Sequence, residues 1–125
     1  MKNKSDENFN CAKLASKARY YSAAMSRCYY SMFQMALHYF EMLVMNNELD
    51  RKDYERKRER HGEIQHLLHD HGIRGLENED FGTVMYFRKI ADYKPDEIFP
   101  QTLNHCIEKA KNFRLKIEKC MGRKT

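Results

Sequence analysis

The chain has 125 residues, 42% of them apolar, which is the size of one domain and too apolar for a wholly disordered chain. A formal charge of +5 and a pI near 9.0 favour an anionic partner such as RNA or a nucleotide. The longest strongly apolar stretch, Met32 to Met45, is broken by Gln34, His38 and Glu41, and the N-terminal residues carry no signal-type apolar core. No membrane partner is expected, and the protein is expected to be cytoplasmic.

A first helix is predicted over about Asp6 to Ser16, with Ser5 or Asp6 as its cap and Cys11, Leu14, Ala15 and Ala18 inward. The second helix is longer. From Tyr21 the positions Met25, Cys28, Met32, Met35, Tyr39 and Met42 step by four and three, and Tyr29, Phe33, Ala36, Phe40 and Leu43 widen that stripe. Asn46-Asn47 ends it. The segment from Arg51 to Arg60, RKDYERKRER, reads as a solvated loop or a turn or two of helix, with phosphate contact as the functional alternative.

A third helix near His61 to His71 packs Ile64, Leu67 and Leu68 and stops at Gly72, with Gly75 following. A fourth runs from about Asn78 to Asp92, with Phe81, Met85 and Arg88 on one face, and Pro95 closes it. The fifth has the cleanest period: Phe99, Leu103, Cys106, Ala110, Phe113, Ile117 and Cys120. With no alternating stretch that requires a strand, residues 1–125 read as a single all-α domain, an up-and-down bundle of four to five helices. Pro95, Pro100, Gly72, Gly75 and Gly82 supply the main punctuation. The four cysteines are scattered and fall on or beside apolar faces, as reduced thiols do.

Polar residues on these faces carry the functional signal. Tyr20, Arg27, Tyr30, Gln34 and His38 form a polar stripe beside the apolar one on the second helix. Arg88 and Asp92 stand four apart, so a carboxylate can hold the guanidinium. That pair is either an internal ion pair, joined by Tyr30, or an anion site whose spare N–H donors take a phosphate. His61 lies on the face of Ile64 and Leu68, where a neutral imidazole serves as a base or bonds a core carbonyl. Glu63 and His66 form one E-x-x-H pair without a second copy, and there is no Gly-rich phosphate loop, nucleophile elbow or C-x-x-C pair, so no metal and no cofactor is expected.

In order along the chain, three segments resemble the HEPN family of small helical domains from bacterial toxin-antitoxin and antiviral systems. Ala24-Met-Ser-Arg27-Cys-Tyr29-Tyr30-Ser-Met-Phe33 resembles the "SRAYYAMF" helix of an uncharacterised bacterial branch. His61-Gly-Glu-Ile64 resembles its histidine-glycine helix start, and Arg88-Lys-Ile-Ala-Asp92-Tyr93 resembles its "R-x-x-A-D-Y" ending. The resemblance implies a HEPN-like bundle, a homodimer, and a role in toxin-antitoxin or phage defence through binding of RNA or a nucleotide. It also implies metal-independent ribonuclease activity of the R-x4-6-H type, but here Asp92 and Tyr93 follow Arg88 without a histidine. Catalysis is therefore left open. Its enzyme version makes Arg88 and His61 the catalytic pair, with Arg27, Tyr30, Asp92 and Tyr93 binding or orienting the substrate. The other version is a non-catalytic nucleotide-binding or protein-interaction module partnered with a minimal nucleotidyltransferase, for which Tyr93 is the position of interest.

Overall fold

The computed structural model describes residues 2–71 and 78–124, with side chains over 2–71 and 80–122. The described residues form six α-helices and one 3-10 turn: α1 Lys2–Lys17, α2 Tyr21–Met45, α3 Arg51–Lys57, α4 His61–Asp70, α5 Asn78–Tyr93, the turn Pro95–Glu97, and α6 Pro100–Lys124. Among the described residues there is no strand, and no helix is long and apolar enough to cross a membrane.

The four long helices alternate in direction, as the pairs across their seams show. Ser5 of α1 bonds the Ser31 carbonyl of α2 and Asn8 of α1 bonds Arg27, so position rises on one helix as it falls on the other. Ser22 reaches Pro95 at one end of α2 and Arg88 reaches Tyr30 further along, which makes α2 and α5 antiparallel. Asp80 with Lys109 sets α5 against α6, and Asp6 with Arg114 closes α6 onto α1. The up-and-down arrangement thus holds for α1, α2, α5 and α6, with α3 and α4 inserted between the second and third of them.

The count of six corrects the expected four to five, because the charged segment is a helix. Asp50 caps it, its carboxylate accepting from the Asp53 N–H at 3.0 Å, and Tyr54 anchors it in the core, fully buried, its hydroxyl donating to the Leu37 carbonyl at 3.4 Å. Its cations are held by acids. Asp53 pairs with Arg56 at 2.6 Å and Lys57 at 3.2 Å, and Glu41 of α2 receives Arg51 at 3.8 Å and Arg58 at 3.6 Å. Lys57 first and then Arg56, each by a hydrogen bond, hold the Asp53 carboxyl below its usual range. Much of the charge that suggested a phosphate grip is spent inside the segment.

α2 is the hub. Of the stripe, Met25, Cys28, Met32, Met35 and Tyr39 are buried and Met42 is partly buried, and Tyr29, Phe33, Ala36, Phe40 and Leu43 beside them are buried. Fully burying a side chain of this size contributes about 1.5–3 kcal/mol, so one unbroken stripe holds much of the core together. The helix ends where Asn47 turns left-handed at φ 59°, a conformation Asn tolerates better than most residues, and Glu48 N–H closes the turn on the Leu43 carbonyl. α6 answers with Leu103, Cys106, Ala110, Phe113 and Ile117, all buried, while Phe99 precedes the helix and is exposed and Cys120 is half-buried. All four thiols are free, and burial pushes the Cys106 thiol up to about 11.

The inward face of α1 also differs from the expectation. Ser5, Phe9 and Ala12 are buried at helical spacing, whereas Leu14 is 65% exposed and Ala18 lies outside the helix, exposed. Ser5 is no cap. It sits inside the helix, where its hydroxyl donates to the Ser31 carbonyl at 2.6 Å and accepts from Arg114 Nε at 2.9 Å, a long-range tie that the local pattern does not reveal. On α4 the expected residues Ile64, Leu67 and Leu68 are buried and His71 caps the end, while Gly72 and Gly75 lie outside the described residues. Gly82 does not punctuate the chain; it lies within α5 where a Cβ would collide with the Gln65 amide of α4.

Candidate functional site

α2, the first residue of α4 and the second half of α5 meet at one cluster. Adjacent residues on α2 supply Tyr29 and Tyr30, one turn later comes Phe33, α4 opens with His61, and α5 contributes Arg88 and, one turn on, Asp92. The His61 ring lies flat on Phe33, centroids 4.4 Å apart and planes within 6°. The buried Tyr29 ring packs against Phe81 at 5.4 Å, and its hydroxyl bonds His61 Nδ1.

Arg88 lies over these rings, its guanidinium 4.8 Å from the centre of Tyr29 and 5.8 Å from that of Tyr30. Stacking on the negative faces of two aromatic rings favours the cation without using its N–H donors. Those donors are poorly used. Nη1 donates to the Tyr30 hydroxyl at a loose 3.5 Å and sits 3.7 Å from an Asp92 carboxylate that is 51% exposed, while Nε is buried with no hydrogen-bond partner among the described residues. A buried donor left unbonded costs about 1–3 kcal/mol, and an exposed carboxylate at that distance gives little back. A closed internal ion pair requires better geometry than this.

The Tyr29–His61 bond ties the tautomer of the imidazole to the direction of the tyrosine hydroxyl. Burial, with Tyr30 nearby and against the pull of Arg88, raises the Tyr29 phenol well above its ordinary value, so it remains a neutral O–H. Burial first, then the positive charges of Arg88 and Lys89, push the His61 imidazole below its ordinary value, so it is neutral at pH 7. Among the described residues the Tyr29 hydroxyl is bonded to His61 Nδ1, donating to it or accepting from it according to the tautomer of the ring. Donation to Nδ1 puts the ring proton on Nε2. In that tautomer His61 presents Nε2–H beside Arg88; its core partner is a tyrosine hydroxyl, which is neither of the two roles, base or partner of a core carbonyl, that its helix face suggests.

The structure therefore gathers Tyr30, His61, Arg88 and Asp92, and adds Tyr29 and Phe33, which the periodicity had assigned only to the core. A signal was present: a buried tyrosine needs a partner for its hydroxyl, and Tyr29 stands next to a second tyrosine on a helix already crowded with apolar residues. Two expected residues lie apart. Arg27 is exposed and donates to Asn8 Oδ1 at 3.0 Å in a groove between α1 and α2, and Tyr93 is 84% exposed at the end of α5. His66 and His69 are exposed on α4, and among the described residues no three His, Cys, Asp or Glu side chains converge as metal ligands. No protein-family model matches the chain, and neither a curated protein nor a solved structure matches it significantly.

Proposed function

We propose that the Arg88 cluster binds a phosphate of RNA or of a nucleotide, and that the protein is a HEPN-like component of a toxin-antitoxin or phage-defence system. One observation carries the phosphate reading: a guanidinium held on two tyrosine rings, its Nη1 in only loose contact with Tyr30 and Asp92, next to the neutral imidazole of His61. Charge-assisted N–H bonds to a phosphate supply what these donors lack, and a part-buried, pre-stacked arginine loses little freedom on binding. The family and system rest on the three sequence segments quoted above, as do a homodimer, a minimal nucleotidyltransferase partner and a cytoplasmic location.

Of the two versions, the Tyr29–His61 bond favours binding over cleavage. A general base must receive a proton at an accessible lone pair. His61 Nδ1 is occupied by Tyr29, and Nε2 carries hydrogen as long as Tyr29 donates. The ribonuclease version has its own support in the lowered pKa, which keeps His61 neutral beside an arginine; it requires the Tyr29 hydroxyl to turn away and the ring to change tautomer. Incubation of end-labelled tRNA and mixed cellular RNA in EDTA, with parallel binding measurements, separates them. Binding without cleavage, weakened in Arg88→Ala, is the expected result. Cleavage lost in both Arg88→Ala and His61→Ala would establish the nuclease, and absence of any RNA or nucleotide binding would overturn the reading.

A further inference from the structure

Tyr30 belongs to two places at once. One side of its environment is Arg88, and the other is a groove of about 490 Å³ between α1 and α2, lined also by Lys4, Asn8, Arg27 and Gln34, with Glu7 among them. That volume is in the range of small-molecule clefts. Its lining is mixed in a particular way. Arg27 is held by an amide, Asn8, and neither Arg27 nor Lys4 is in an ion pair among the described residues, so two cations face the single carboxylate of Glu7. Asn8 and Gln34 offer amide donors and acceptors of the kind that read a base edge, and Tyr30 offers an aromatic ring.

We propose that this groove is a second subsite, taking the nucleotide next to the one whose phosphate sits at Arg88, so that the ligand is a single-stranded oligonucleotide and not a free nucleotide. Arg27 meets the second phosphate and Tyr30 stacks on the intervening base. Single strands are bound in this manner, by cations tracking the backbone and aromatic rings under splayed bases, whereas a paired helix keeps its bases stacked and presents no free face to Tyr30. The inference rests on the phosphate reading of Arg88 and extends it along the strand.

The test compares a mononucleotide, a single-stranded pentanucleotide of RNA, the same sequence in DNA, and a short RNA duplex, by fluorescence anisotropy or calorimetry at several salt concentrations. The wild-type protein should bind a single-stranded pentamer at least about tenfold more tightly than the mononucleotide or the duplex, and the RNA and DNA arms identify which strand it prefers. Arg27→Ala should lower pentamer affinity by about three- to tenfold and reduce its salt slope by about one phosphate contact, with a far smaller change for the mononucleotide. Arg27→Gln, checked for unchanged helicity, guards against a folding effect. Equal pentamer affinity in wild type and both Arg27 variants, with Arg88→Ala still weakening it, overturns the second subsite and leaves the phosphate site standing. If neither mononucleotide nor pentamer binds the wild type, the phosphate site falls and takes the subsite with it.

Discussion

Two arginines of this bundle occupy nearly the same physical setting and differ in one respect. Arg114 of α6 and Arg88 of α5 are both largely buried, and each guanidinium lies 4.8 Å from the centre of an aromatic ring, Phe9 for one and Tyr29 for the other. Arg114 is satisfied. Its Nε donates to Ser5 Oγ at 2.9 Å, its Nη2 bonds Asp6, and Ser5 passes the chain on to the Ser31 carbonyl, so α1, α2 and α6 are tied by one polar network. Arg88 has an unbonded Nε and two long contacts. Similar burial and stacking with opposite hydrogen-bond satisfaction separates an arginine that holds helices together from one that the proposed phosphate site requires.

Substitutions at the two positions should therefore have opposite effects. Arg88→Ala should cost on the order of 30-fold in affinity for the nucleotide or RNA, corresponding to about 2 kcal/mol of charge-assisted hydrogen bonding, while changing stability by under about 1 kcal/mol because few bonds are lost. Arg114→Ala should lower stability by about 2 kcal/mol in urea unfolding and leave affinity nearly unchanged. A variant pair in which Arg88→Ala destabilises as much as Arg114→Ala, without loss of binding, would make Arg88 another structural tie.

Tyr29 allows a finer test, since it supports both the ring platform and the tautomer. Tyr29→Phe keeps the aromatic face under Arg88 and removes the hydroxyl, at an expected cost of about 1 kcal/mol. Nitrogen NMR of wild-type His61 should show the proton on Nε2, and Tyr29→Phe should release that preference. An Nδ1–H tautomer in the wild type would restore Nε2 as a base and strengthen the ribonuclease version.

What the sequence revealed follows from what periodicity can carry. The stripes on α2 and α6 are legible because burial on one helix face repeats every three or four residues, and the residues so assigned are buried apart from Phe99, which is exposed, and Met42 and Cys120, which are partly buried. Arg88, His61, Tyr30 and Asp92 were legible as polar residues at apolar positions. The role of Ser5 and the helix α3 are not legible in the local pattern because their reasons lie elsewhere in the chain: Ser5 is fixed by Ser31 and Arg114, and α3 by Tyr54 entering a core built from α2. The groove holding Arg27 was illegible for the same reason, since its other wall is α1.

The smallest expected effect comes from pH and reads the charge of Arg88 through its neighbour. An imidazole whose value in the fold lies below the unfolded value of about 6.5 takes its proton more readily in the unfolded chain. Stability should fall as pH drops from 7 through that value towards 5, and at higher pH His61 should contribute no dependence. His38, pushed down by burial, the N-terminal amine and Lys2, acts in the same direction, so His61→Gln should flatten the slope only in part. Asp53, held low by Lys57 and Arg56, loses its contribution further into acid and should not intrude in this window. Arg88→Gln removes the second cause of the His61 shift but not the first, which is burial; an NMR titration should show the His61 value move upward while remaining below the ordinary value of a histidine. If the value does not move at all, Arg88 is electrostatically remote from His61, and a phosphate between them could not be shared.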